Sequence, residues 1–355
     1  MPGPAARTAT ADVVCLGESM VTFLPSQPGR LADVPTFGRG IGGAESNVAC
    51  ALAAAGHPAK WVSRVGADGF GDHLVDAVAR YGVDTSAVRR DPDRPTGIYF
   101  RTATDRATDT HEVAYYRAGS AASAMSPHNV PYEDLLAGRI LHLSGITAAL
   151  SGDCLALLHD LTAPRDGRPQ ISFDVNHRPG LWRNGGAGPD VLLGLARRCD
   201  LVFVGEDEAE EAWGVRGTTA IRAALPEPAV LVVKRGSEGA TVFSRHLPGP
   251  GSPASDTVTA VPALHVDVVA PVGAGDAFAA GFLSATLRGL PVRDRARHGH
   301  LMAAAVLTVP GDLTDPPARA HADRLAALDD ATWGTLRLGP GWTAADGANE
   351  EVRVT

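Results

Sequence analysis

Lysine is nearly missing from this 355-residue chain: only Lys60 and Lys234 carry it, so arginine supplies almost all the positive charge. Arginine suits planar, bidentate recognition of carboxylate and phosphate. The same bias accompanies many Ala, Gly and Pro residues and is also what a whole-genome composition effect produces. Cysteine is scarce as well. Cys15, Cys50, Cys154 and Cys199 stand far apart and form no C-x-x-C pair, so neither a zinc site nor a disulfide framework is supported. No window approaches the ~18 uninterrupted apolar residues of a membrane helix, and the opening "MPGPAARTATAD" has no apolar signal core. No membrane partner is expected, and a cytoplasmic location is the simplest reading. An excess of positive charge is lacking too: the formal charge of -8 argues against a nucleic-acid partner. A small anionic ligand needs only a local positive pocket and stays open.

What is present is an ordinary globular composition, 45% hydrophobic and 20% charged, enough for a sizeable core. Residues 1–11 read as a tail, and "VVCLGES" (13–19) as a buried strand ending at Gly17. "ESNVACALAAAG" and "GDHLVDAVARYG" have helical spacing and stop at glycine, with the strand-like "AKWVSRVG" between them. Further along, "RILHLSGI", "PQISFDVN" and "DLVFVGEDE" alternate with "DCLALLHDLT" and "DVLLGLARRC". Strand–helix alternation of this kind predicts a mostly parallel sheet between helices, an α/β architecture. Residues 96–118 break the pattern: "GIYFR" and "VAYYR" flank a polar loop, as in a hairpin of an accessory sheet or lid. "AVLVVKRGSEGATVFS" reads as two strands about a glycine turn, and the chain after about 338 as a Gly-rich tail without chemistry.

Three stretches carry candidate chemistry. In "VVAPVGAGDAFAAGF" (268–282) a strand-like run ends near Val269, glycines turn the chain and a helix begins at about Asp276. Free amides at a helix start attract anions, and Gly273 and Gly275 let a phosphate approach the backbone. Asp276 is then either a plain helix cap or a base beside a phosphate; from these residues alone the cap is the simpler reading. "GRGIGGAESNVA" (38–49) opens a helix with Gly42, Gly43, Ala44, Glu45, Ser46 and Asn47; a structural turn and a polyhydroxy-ligand site both fit it. "SFDVNHRPGLW" (172–182) sets Asp174, Asn176 and Arg178 at a strand end, where parallel α/β sheets bind ligands and where surface-loop residues are also common.

Together and in this order, "GGAESNVACALAAAGHPAKWVSRVGADGFG" and "PVGAGDAFAAGF" resemble the paired signatures of the ribokinase-like (PfkB) carbohydrate kinases. The resemblance spans about residues 12–325. Within that family "PTGIYFR", "YYRAGSAAS", "LHLSGITAALS", "FDVNHRPGLW" and "VGEDEAE" are most similar to 2-keto-3-deoxygluconate kinases. The resemblance implies a three-layer α/β/α kinase domain over 12–330, with β lid segments at about 20–42 and 96–118 and a C-terminal tail at 338–355. It implies ATP and Mg2+ as cofactors, a sugar acid as substrate, and pairing of copies through the lid as an arrangement open to this chain. Asp276 would be the base, and the amides of Gly273, Ala274 and Gly275 the anion hole. Gly43, Glu45, Asn47, Tyr99, Tyr115, Arg117 and Arg178 would face the sugar, with Arg178 also within reach of the phosphates. Asn176, Lys234, Gly236, Ser237, Gly239 and His300 would lie along the nucleotide, and Glu208 on the metal side. A carboxylate substrate calls for guanidinium groups, which Arg117 and Arg178 supply; a neutral-sugar kinase or a weak binding homologue is the alternative. The chain departs from the family pattern at Ala270, where an acid is usual, at Gly205, where an Asn is usual, and at His300, near a usual Asn.

Overall fold

The computed structural model describes residues 10–344 apart from 28, 103–111, 183–187 and 247–254, together with the backbone of 353–354. Its centre is an eight-stranded sheet in the order Ser255–Val261, Ala240–His246, Val230–Lys234, Leu201–Gly205, Gln170–Asp174, Gly138–Ser144, Ala11–Leu16, Ala59–Val62. From Val230–Lys234 to Ala59–Val62 every neighbouring pair is parallel; the two strands at the other edge are antiparallel.

Both faces of this sheet are covered, which is why its strands read as near-continuous apolar runs rather than alternating ones. Successive residues still separate into two cores. Val13, Cys15, Ile140, Phe203 and Val232 pack on one side, against the helices Ala44–Ala54, Ala274–Leu287 and Val292–Leu307. Val14, Leu16, Leu141, Leu143, Val202 and Val233 pack on the other, against Gly152–Leu161, Asp190–Ala196 and Thr218–Ala224. The result is a three-layer α/β/α sandwich. All four cysteines are buried and free.

A separate four-stranded sheet is formed by Phe37–Gly42, Met20–Pro25, Ile98–Arg101 and Val113–Tyr116, in that order. The last two are an antiparallel hairpin with Tyr99 opposite Tyr115, and the polar loop expected between them lies outside the described residues. One face stacks Phe23 on Phe100 at 4.7 Å with Phe37 edge-on to Phe100 at 5.2 Å. The other face carries Tyr99 and Arg101, which line the main cleft.

Several local expectations change. "AKWVSRVG" is two strands: Ala59–Val62 enters the large sheet, while Arg64–Gly66 pairs with Arg89–Asp91. The first strand starts at Ala11, inside the expected tail. The chain past 338 is not a loose tail over 339–344. Trp342 is 1% exposed, its ring 5.9 Å from that of His321, and Arg353–Val354 pairs with Leu336–Leu338. A single Trp among glycines has no periodicity to announce its burial.

Candidate active site

The parallel strands end in a cleft of about 1900 Å³ bordered by Glu18, Asn176, Gly205, Lys234 and Gly236, all just at or beyond strand carboxyl ends, and closed on one side by the small sheet. The turn 271–276 also lines it. Here the strand-like run expected up to Val269 is not one: the strand is only His265–Val266, and Val268 and Val269 are 46% and 43% exposed in a loop.

The helix that follows begins at Ala274, two residues earlier than the sequence suggests, with Gly273 as its N-cap at φ +80°. That left-handed conformation favours glycine. A Cβ there would also stand 2.5 Å from the Asp312 carbonyl oxygen, so no larger residue fits. The first intrahelical bond runs from the Ala277 amide to the Gly273 carbonyl at 2.9 Å, leaving the amides of 274–276 without intrahelical partners at the positive end of the helix dipole. Asp276 therefore caps nothing. It sits in the first turn, and its Oδ2 accepts a hydrogen bond from Asn47 Nδ2 at 2.8 Å.

Burial pushes the Asp276 carboxyl up to about 7, the nearby Asp174 charge adding to the rise while Asn47, Arg178 and Lys234 oppose it. Lys234 Nζ faces the same place: a Cβ built on Gly275 would lie 3.6 Å from it. Its partners are both oxygens of Asp174, at 3.1 and 2.9 Å. Burial alone would lower the ammonium pKa, but Asp174, Glu208 and Asp276 more than offset this and hold it above its usual value. Arg178 lies 3.9 Å from Glu208 and is half exposed to the cleft. Asn176 holds φ +43°, the single non-glycine residue of positive φ among those described, a strain of the kind that persists where surroundings impose it.

Also lining the cleft, the Arg117 guanidinium pairs with Glu18, which also accepts from Ser120 Oγ at 2.5 Å, and lies 5.8 Å from the centre of the Tyr115 ring. Arg117 Nε is buried and has no partner among the described residues. A cleft lined both by unpaired amides beside an elevated carboxyl and by a guanidinium with a free N–H is suited to a ligand with more than one polar, anionic group.

Most residues singled out in the sequence converge here: Gly43, Asn47, Tyr99, Tyr115, Arg117, Asn176, Arg178, Glu208, Lys234, Gly236, Ser237, Gly273, Ala274, Gly275 and Asp276 line the cleft. Three do not. Glu45 is 1% exposed beneath it; its Oε1 accepts from Ser144 at 2.8 Å and Thr147 at 2.6 Å, and burial raises its pKa. It braces the end of one central strand against the start of the next helix, and a Cβ on Gly17 would strike it at 2.1 Å. His300 packs against Phe278, ring centres 5.1 Å apart, and burial lowers its pKa to about 4, leaving a neutral core side chain. Gly239 turns the chain at φ +110°, its Cα against Val261, where a Cβ would meet the carbonyl oxygen at 2.1 Å. As for metal, among the described residues no three His, Cys, Asp or Glu side chains cluster as a site, and Glu208 gives one oxygen to the Gly205 amide at 3.0 Å. No helix among those residues is long and apolar enough to cross a membrane.

Glu18, Arg101 and Asp312 also line the cleft and were not expected. The "GES" that ends the first strand was a visible signal for Glu18; Asp312 had none, because its partners are more than 200 residues away.

A doubly covered parallel sheet, a lid-like second sheet and a helix start aimed into the cleft define a small-molecule phosphotransferase type of site. Residues 10–319 match the family model described as pfkB family carbohydrate kinase. A 2-dehydro-3-deoxygluconokinase of Bacillus subtilis (strain 168) is 35% identical over 87% of this chain and 93% of its own length. A probable chloroplastic fructokinase of Arabidopsis thaliana is 28% identical over 82% of this chain and 75% of its own. The crystal structure of a PfkB protein from Polaromonas sp. JS666 superposes with a TM-score of 0.73 at 33% identity, covering 88% of this chain and 99% of the other. The chain belongs to the PfkB family of carbohydrate kinases, and it is a carbohydrate kinase.

Proposed function

We propose that the substrate is a sugar acid, 2-keto-3-deoxygluconate, whose terminal hydroxyl takes the γ-phosphoryl group of ATP to give the 6-phosphate and ADP. The observation that carries this reading is that one cleft holds both Asp276, bonded by Asn47 beside the free amides of 274–276, and Arg117, whose Nε has no partner among the described residues. The similarity to a 2-dehydro-3-deoxygluconokinase supports the same substrate class.

In this reading Asp276 takes the hydroxyl proton as the oxygen attacks phosphorus, and Asn47 fixes the carboxylate that receives it. A base near neutrality is matched to that task. The amides at the helix start face the charge that builds on the transferring group. Lys234 and Arg178 oppose the negative charge of the phosphates, and Gly236 and Ser237 lie along the nucleotide. Arg117 holds the carboxylate, with Tyr99 and Tyr115 beside it. The small sheet, from segments 20–42 and 96–118, acts as the lid that keeps water from the γ-phosphoryl group. The donor set is compatible with Mg2+, which binds through one or two carboxylates plus phosphate oxygens and keeps several waters; Glu208 and Asp174 border the cleft. Such an ion, when bound, supplies charge neutralisation to the phosphates. The aromatic face of the small sheet, where half-buried Phe37 and Phe100 lie beside Phe23 and Phe23 also meets Phe70, suits pairing with a second copy, which light scattering checks as twice the 36.7 kDa monomer mass.

A second reading, a neutral-sugar kinase, is favoured by one contact: Glu18 already neutralises Arg117. A coupled ADP-formation assay with ketodeoxygluconate, fructose and ribose in parallel separates the two. Faster turnover of the acid is expected; preference for fructose or ribose overturns the acid reading, and turnover of none overturns both.

A further inference from the structure

Asp312 stands between the small sheet and the turn that shapes the anion hole, on the loop after the helix Val292–Leu307. Its side chain is 7% exposed and takes the Arg101 guanidinium at 2.7 Å and the Tyr99 hydroxyl at 3.1 Å. Both donors belong to the strand Ile98–Arg101, two positions apart and hence on one face. The junction is closed by a third element. A Cβ on Gly42, the last residue of Phe37–Gly42, would stand 2.4 Å from Tyr99 Oη and 2.8 Å from Asp312 Oδ2. The main chain of the same aspartate backs the anion-hole turn, its carbonyl oxygen 2.5 Å from where a Gly273 Cβ would be.

We propose that Asp312 is a positioning residue that makes docking of the small sheet and shaping of the 273–276 turn one event. The proposal rests on the phosphoryl-transfer reading above. A buried ion pair with an added hydroxyl has one favourable arrangement, since parting the charges leaves each desolvated and unpaired. The strand therefore carries the loop with it, and the loop carries the glycine that orients the amides. A sugar seated beneath Tyr99 and a phosphoryl group at the amides are registered to each other through this one side chain. Misplacement by about 1 Å at such a junction is enough to lower rate by about 100-fold.

Two measurements test this, on the full chain. The first is hydrogen exchange on the unliganded protein, comparing wild type with Asp312→Ala and Arg101→Leu, which break the same pair from opposite sides. Exchange is expected to speed up together in 98–101 and in 277–279, the first hydrogen-bonded turn of the helix. A rise confined to 98–101 or to 310–314 overturns the coupling. The second uses whichever sugar the wild type phosphorylates. Both variants should lose about 10- to 100-fold in kcat/KM, keep an ATP Kd within about twofold, and form more ADP than sugar phosphate as water takes the phosphoryl group. The double variant should be no worse than the poorer single one. Weakened ATP binding with an unchanged product ratio, or additive losses, overturns the proposal. Asp312→Asn, which keeps shape and the Tyr99 acceptor, should show the same changes in smaller degree if the alanine variant does not fold. If the wild type phosphorylates no sugar, the functional reading fails and the exchange measurement still decides the coupling.

Discussion

Asp276 concentrates the chemistry at the scale of one residue. Its carboxyl titrates near 7 because burial disfavours its charge, so the active, deprotonated form declines below neutrality. The acid limb of log kcat/KM against pH is expected to bend near 7 and fall with unit slope below it; a limb bending near 4 would mean the proton is taken elsewhere. Asp276→Asn should lower kcat by at least ~100-fold while ATP binding, followed by calorimetry, survives. Near-normal turnover would end the assignment of Asp276 as base. The same residue has an opposite effect on stability. In the unfolded chain the carboxyl ionises near 3.8, whereas in the fold it keeps its proton to about 7. Between those values the folded state binds more protons, so this group's contribution favours folding below about 4 and is lost as pH rises to 7. At pH 8 the charge is desolvated, and Asp276→Asn should raise Tm by about 2–4 °C. Differential scanning at pH 8 and pH 4 tests the sign: the gain should vanish at the lower pH.

The hairpin Ile98–Arg101 and Val113–Tyr116 decides specificity at the scale of the element, because it delivers Tyr99, Tyr115 and Arg117 as one unit. Arg117→Ala should raise KM for the sugar acid more than ~10-fold, the loss of about one charge-assisted bidentate contact, with KM for ATP within about twofold. The reverse ranking moves Arg117 to the nucleotide. Elements of this kind were legible in the sequence to unequal degrees. The central strands were readable because a doubly covered parallel strand is a plain apolar run, as in "DLVFV" and "AVLVV". The edge strand Ser255–Val261 was not read, since its exposed "SDTVTAV" is mostly polar and its place comes from pairing with Ala240–His246. The turn at 273–275 was legible because the left-handed backbone at Gly273 favours glycine there. Glu45 was misplaced, as its neighbours Gly43 and Asn47 do line the cleft and only the third dimension shows that it points beneath. Gly239 likewise follows the cleft residues Ser237 and Glu238, whereas His300 sits in the core helix Val292–Leu307, none of which lines the cleft, and Asp312 was invisible because all that matters about it is contact across the chain.

The whole molecule is held together by a core that continues past the strands and helices bearing the cleft. Trp342 is buried at 1% exposure, beyond the last helix, and its ring approaches His321 on the helix Arg319–Ala326. That helix in turn adds Ala322 and Leu325 to the same core as Phe278 and Phe282, in the helix whose first turn holds Asp276. The segment 339–344 is therefore a cover for one layer of the sandwich. Trp342→Ala removes a large buried side chain and should destabilise by about 3–5 kcal/mol, seen in a denaturant titration as a lower midpoint with unchanged slope. Trp342→Phe should lose less, because the buried indole N–H has no acceptor among the described residues and its removal leaves none of them unsatisfied. Neither change touches the cleft, so kcat of the folded fraction at 25 °C should match wild type within about twofold. A loss under about 1 kcal/mol for Trp342→Ala would return this segment to the status of a tail, and a kcat loss at full folding would mean that the cover shapes the cleft as well as the core.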